Sequence, residues 1–143
     1  MLFRSLCFEA LSQWHLGQTT SCQPTIAKAI TLAKELNDFH GLAQALWAAA
    51  VLANCERNSA EVERLASELI ELSMRHKFSF WLTVGTICRG WWRSASGGTV
   101  GGITSIEDGI SDYRASGTML GMPFYLALKA EALHLLDRTS EAL

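Results

Sequence analysis

The stretch Ser96-Gly97-Gly98-Thr99-Val100-Gly101-Gly102-Ile103-Thr104 comes nearest to a chemical motif in this chain. Glycines flanked by hydroxyls suggest a loop whose backbone N–H groups cradle phosphate. Such a loop needs a lysine after its last glycine to reach the phosphates, and Ile103 stands in that place. The stretch also follows a helical pattern rather than a strand, so a glycine-rich helix start is the reading that fits. His15, His40, His76 and His134 form no pair at helical metal-binding spacing, and none lies near a cysteine at zinc spacing. They are expected at the surface or at helix ends, with His76 in a last turn where the helix dipole favours it. Cys7, Cys22, Cys55 and Cys88 are widely and irregularly spaced with no C-x-x-C, which suits small buried residues better than ligands or disulfides.

Glu107 and Asp108 are adjacent, and on a helix neighbours point about 100° apart, so they read as a solvated face rather than a converging pair. No serine or cysteine has a nucleophile-elbow context. The expectation is a non-catalytic chain with no cofactor and no metal. The five tryptophans, Trp14, Trp47, Trp81, Trp91 and Trp92, carry more information. Aromatic residues anchor binding surfaces, and they also wedge between helices in cores. The residues leave both roles open.

The elements that must position these groups repeat. Ala10, Ala50, Gly90 and Ala130 are spaced by 40, as are Ile30, Ile70 and Ile110. Leu32, Leu72 and Tyr113 run in the same register, as do Val62, Ile103 and Leu143. A recurring period of this length marks a repeat architecture. Each unit reads as two helices. One face of the second helix carries Ile26, Ala29, Ile30, Ala33 and Leu36, then Val62, Leu65, Ala66, Leu69 and Leu72, then Val100, Ile103, Ile106, Ile110 and Tyr113. The first helices carry Leu42, Ala45, Leu46, Ala49 and Leu52, then Val84, Cys88, Trp91 and Ala95, then Tyr125, Leu128, Ala132 and Leu135. The small residue at each fortieth position lets two helices cross closely.

Asn58 followed by Glu61 predicts a helix N-cap. Asn37 and Gly117 sit where helices should stop. Gly17, Gly97 and Gly98 fall in turns, and Pro123 suits a first helical turn. Pro24 predicts that the second helix is delayed to about Gln23, since proline cannot donate inside a helix. No segment alternates as a strand does.

Composition sets the bounds. The chain has 143 residues, 49% hydrophobic and 18% charged, with a net charge of -2; its mean hydropathy is +0.15. That suits one domain with ample core. Basic residues are not clustered, so neither nucleic acid nor a membrane surface is an expected partner. The apolar run from Gly41 to Ala53 is too short to span a bilayer. The N-terminus lacks a secretory pattern, which predicts a cytoplasmic address.

Together the period, the helix pairs and the stretches Gly90-Trp91, Tyr113 to Gly117, Leu120 to Tyr125, and Ala130 to Leu133 leading to Asp137 through Leu143 resemble the tetratricopeptide superfamily. The resemblance is to the degenerate, longer-unit arrays at the C-termini of bacterial signal-transduction ATPases and adenylate cyclases. It implies an all-α, alpha-alpha superhelix of about three and a half antiparallel pairs, roughly seven helices, spanning 1–143 as one domain. The eighth helix would begin at Leu143, so the chain resembles a piece or short relative of a longer array. The usual proline at the end of the second helix is missing, and no ATPase or cyclase domain is present.

In such arrays the first helices line a concave groove. Carried onto this sequence, that face is Cys7, Leu11 and Trp14; Gln44, Trp47, Val51 and Asn54; Val84, Ile87 and Trp91; and Phe124, Glu131 and His134. Few charges lie among them. The implied function is a protein-interaction module in a signalling or transcription-regulation setting. Apolar residues surround the first helix, including Leu2, Phe3 and Leu6, which predicts self-association as a homodimer through that helix or the C-terminal end. The alternative is a sensor that closes its groove on an apolar or sugar-like small molecule.

Overall fold

A computed structural model describes the backbone of residues 2–17, 19–97, 99–115 and 122–142, and the side chains of 9–17, 22–97, 100–115 and 125–135. Seven helices fill the described residues and no strand is among them: α1 (Leu2–His15), α2 (Thr19–Glu35), α3 (Phe39–Cys55), α4 (Ser59–His76), α5 (Ser79–Ala95), α6 (Thr99–Ala115) and α7 (Met122–Ala142). Each packs against the next, and α1 also packs on α3, α3 on α5, and α5 on α7. The even helices do not pack on one another among the described residues; long side chains link them, as Lys34 Nζ reaches Glu68 at 3.6 Å. The odd helices therefore form the inner row of an alpha-alpha superhelix. None of the described helices is long and apolar enough to cross a membrane.

The forty-residue period has a backbone cause. Positive φ occurs at Gly17 (81°), Asn37 (50°), Arg57 (59°), Lys77 (58°) and Gly97 (102°), one left-handed residue every twenty positions. At these points the chain makes a helix-ending turn. After α2, Asn37 N–H donates to Lys34 O at 3.2 Å and Asp38 N–H to Ala33 O at 3.0 Å; after α3, Arg57 and Asn58 repeat the pattern on Asn54 O and Ala53 O at 3.0 and 2.9 Å. The next residue then opens the following helix. Asp38 accepts from Gly41 N–H at 2.8 Å, and Asn58 accepts from Glu61 N–H at 3.2 Å. One residue thus satisfies a loose carbonyl behind it and a loose N–H ahead of it. The Asn58 cap is as expected, but Glu61 does not reach back. Its carboxylate accepts from Arg64 Nε at 3.0 Å, and that hydrogen bond holds its carboxyl below the usual range.

The central helix α3 is wrapped on most sides. Ala43, Ala45, Ala48, Ala49, Ala50 and Ala53 are all buried in it, and small side chains let neighbours approach closely. In α4 the expected face, Val62, Leu65, Ala66, Leu69 and Leu72, is buried in full. The buried hydroxyls of Ser73 and Ser94 donate to carbonyls one turn back, at 2.6 and 3.1 Å, so neither is left unpaired.

Several expectations need correction. Helix α2 starts at Thr19, not near Gln23, and carries Pro24 inside it. Near a helix start that proline removes a single rung, which the burial of Ile26, Ala29 and Ala33 offsets. Leu36 and Val100 are 62% and 67% exposed, and Ala95 is exposed too, because they sit at helix ends beyond the reach of a neighbour. Ala10, Ala50 and Gly90 are buried at crossings, whereas Ala130 is exposed, since among the described residues no helix crosses α7 there. Gly98, Gly117 and Leu143 lie outside the described residues.

The glycine-rich stretch belongs to the closest of these crossings. A Cβ on Gly102 would lie 2.2 Å from Ser94 Oγ and 2.5 Å from Gly90 O, while one on Gly101 would meet nothing within 4 Å. Adjacent substitutions should therefore have opposite signs. In urea denaturation Gly102→Ala is expected to lose about 1–3 kcal/mol through forced helix separation, and Gly101→Ala to gain up to about 1 kcal/mol from helix propensity. Equal effects at the two positions would contradict the crossing.

Candidate functional site

The inner row contains the residues expected to line a groove, and the structure divides them. On α3, Gln44, Trp47, Val51 and Asn54 form a half-buried strip along a helix whose residues 41–43, 45, 46, 48–50, 52 and 53 are buried. Leu11 and Trp14 on α1 are likewise half-buried and pack against the core. On α5 the expectation fails. Val84, Ile87 and Trp91 are 0%, 0% and 3% exposed. Ile87 turns to α6, where a Cβ on Gly109 would meet its Cγ1 at 2.4 Å. Glu131 is half-buried and His134 exposed on α7. The side chains of Leu2, Phe3, Leu6, Cys7 and Phe124 lie outside the described residues.

Helix α7 covers the α5 part of the groove and reaches α3. Trp47 Nε1 donates to Tyr125 Oη at 3.2 Å. Trp91 Nε1 donates to Glu131 Oε2 at 3.1 Å, and Arg57 forms an ion pair with the other oxygen, Oε1. One carboxylate thus joins the turn after α3, the middle of α5 and the middle of α7. Tyr125 and Arg57 were not foreseen in this role, because the residues they meet are 78 and 74 positions away. Asn54 Nδ2 is buried and, among the described residues, has no hydrogen-bond partner.

Burial sets the chemistry of the groups under α7. Cys88 is pushed from 9.0 up to about 12 by desolvation. Tyr125 is raised chiefly by desolvation, with smaller contributions from Cys88 and Tyr113 that outweigh the Trp47 hydrogen bond. Both therefore stay protonated at neutral pH, and a thiol is a poor nucleophile. Cys22 is buried and Cys55 half-buried. Among the described residues no group of three or more His, Cys, Asp or Glu is placed to hold a metal ion.

Two of the four histidines, His40 and His76, gather with aromatic rings where α4 ends and α3 and α5 begin. His76 stacks on Phe39 at 4.1 Å and faces Phe78 at 5.6 Å. His40 lies 4.4 Å from Phe78. Trp81 Nε1 donates to His40 Nδ1 at 3.2 Å, so that nitrogen is the unprotonated one. Trp81 serves to join helices, as its neighbour Trp47 on α3, at 6.4 Å, also indicates.

Two outcomes are expected. Cys88 and Tyr125 bind protons more tightly in the folded chain, so stability is full below pH 9 and declines as pH rises toward 12. The thiol's share is about 1 kcal/mol per pH unit. Melting scans of Cys88→Ala should show a shallower alkaline decline than the parent chain, and parallel curves would contradict it. Separately, a double-mutant cycle of Trp47→Phe and Tyr125→Phe should give a coupling of about 1 kcal/mol in denaturation. Additive effects would mean that the hydrogen bond contributes nothing.

No protein-family model matches the chain, and no solved structure matches it. It is similar to an uncharacterized protein of Rhizobium meliloti (strain 1021), at 23% identity over 134 residues, which is 94% of this chain and 13% of that protein. The chain thus spans about one eighth of the length of the curated relative it matches.

Proposed function

We propose that the chain is a non-catalytic protein-interaction module of the tetratricopeptide-like kind, and that it self-associates through the outer face of α7. The observation that carries this reading is the stripe Leu126, Ala130 and Leu133. Leu126 and Leu133 are 40% and 39% exposed, and Ala130 between them is exposed as well. Ala130 continues the series in which Ala10, Ala50 and Gly90 each lie under a crossing helix. The stripe is therefore shaped to receive one, with a small residue at the centre and large apolar residues on either side.

Leu126 and Leu133 stand on opposite sides of Ala130 at nearly equal distance. Two copies of α7 can lie antiparallel with Ala130 against Ala130 and each leucine beside its counterpart, the self-complementary arrangement that two-fold symmetry requires. Lys129 is paired with Glu107 and Glu131 with Arg57, so neither charge needs to be stripped of its partner. The groove itself is a poorer candidate, since Trp47 is engaged with Tyr125, and Trp91 with Glu131, across it. The setting, signalling or transcription regulation, is what the family resemblance implies. A match to a small share of a long relative suits a module within a larger protein.

Light scattering on a sizing column across a wide dilution series tests the proposal. The parent chain is expected as a dimer and Leu133→Glu as a monomer of unchanged helicity. A parent chain that stays monomeric throughout would overturn it. Dissociation by Phe3→Glu but not by Leu133→Glu would move the interface to α1.

A further inference from the structure

The start of α5 and the end of α6 form a cleft of about 400 Å³, lined by Ser79, Phe80, Leu82, Thr83, Asp112 and Tyr113. It is built on the first turns of α5, an inner-row helix, and on the last turn of α6, and none of the stripe residues lines it. We propose that this cleft binds an organic ammonium group, with the cation between the Phe80 ring and the Asp112 carboxylate. The volume is in the range of small-ligand sites, roughly 300–1,000 Å³.

Three observations fix the class of ligand. First, Phe80 offers a ring to the cleft: it is 37% exposed, and its placement is set by Trp81 edge-on at 4.9 Å and by Tyr113 at 5.5 Å. Such a ring face attracts a cation. Second, Asp112 is exposed and, among the described residues, has no hydrogen bond or ion pair. Glu61, Glu71, Glu107 and Glu131 have basic partners, whereas Asp112 shares with Glu35 and Asp108 the lack of one among the described residues and differs from them in lining a cleft beside an aromatic ring. Third, no basic side chain is among the described residues that line the cleft.

The sign of the field follows from charge balance. The first turn of α5 brings about half a positive charge and the last turn of α6 about half a negative one. These offset each other, which leaves the full charge of Asp112 to decide. Leu82 supplies apolar wall for the body of the ligand. The Thr83 hydroxyl donates to Ser79 O at 3.1 Å, so its oxygen faces a ligand as an acceptor, which also suits an ammonium donor. A free amine and a lysine side chain of another protein share this chemistry.

Titration of the labelled chain followed by NMR at the amides of residues 79–83 separates the sources. Phenethylamine and Nα-acetyl-lysine amide are the cationic probes, and 3-phenylpropionate is an anion of similar shape. Saturable shifts with phenethylamine would assign the cleft to small amines, and shifts with the blocked lysine alone would assign it to a partner's side chain. In either case Asp112→Asn should weaken binding about tenfold and Phe80→Ala about threefold. Both positions are exposed, so the fold is expected to survive. The proposal is overturned if neither cation shifts these amides, if 3-phenylpropionate binds as well as the cations, or if Asp112→Asn leaves affinity unchanged.

Discussion

From α1 to α6 each helix passes to the next through a single residue in the left-handed region, and this recurs every twenty positions from Gly17 to Gly97. Such a turn reverses the chain within a few residues while satisfying the carbonyls it leaves behind. It fixes the helix length, with α2, α3, α5 and α6 all 17 residues long. It also makes every neighbour antiparallel. Equal lengths bring the same positions of successive pairs to the same depth, which is why the small and large residues repeat at forty. Glycine adopts this conformation freely at positions 17 and 97. Asn37, Arg57 and Lys77 hold it at a cost, so the packing of the helices on either side must compensate.

Packing does so by close crossing. A helix pair cannot bury its apolar face alone, and stacking the pairs completes the core. In α3 this works through a run of buried alanines. Between α5 and α6 it works through glycine against glycine, at Gly90 and Gly102, where even a methyl group would strike backbone. Within the glycine-rich stretch that suggests a phosphate loop, Gly102 is thereby accounted for as packing and Gly97 as a left-handed turn.

Curvature then decides which surfaces are open. The superhelix turns tightly enough for α7 to lie over α5 and touch α3, so the N–H groups of Trp47 and Trp91 find acceptors on α7. Trp47 and Trp91 hold helices together here, and the outside of α7 and the mouth between α5 and α6 are among the surfaces left open. An apolar stripe and an unpaired carboxylate beside an aromatic ring are different kinds of surface. The first suits another helix, and the second suits a small charged group.

The sequence by itself determined the helical class, the forty-residue period, the Asn58 cap, the left-handed Asn37 and the buried face of α4. These are local properties: spacing along one helix and the tolerance of one residue for one turn. Only the tertiary structure decided that Trp91, Val84 and Ile87 are enclosed, that Glu131 meets both Arg57 and Trp91, and that Tyr125 accepts from Trp47. Those contacts join residues 40 to 78 positions apart where they bridge helices. They depend on the small rotation added at each crossing, which accumulates over several pairs and leaves no trace in the spacing of any one of them. Arg57 and Lys77 were illegible for a related reason. Neither residue type favours a left-handed turn, and each adopts one because the two helices it joins are already held in place.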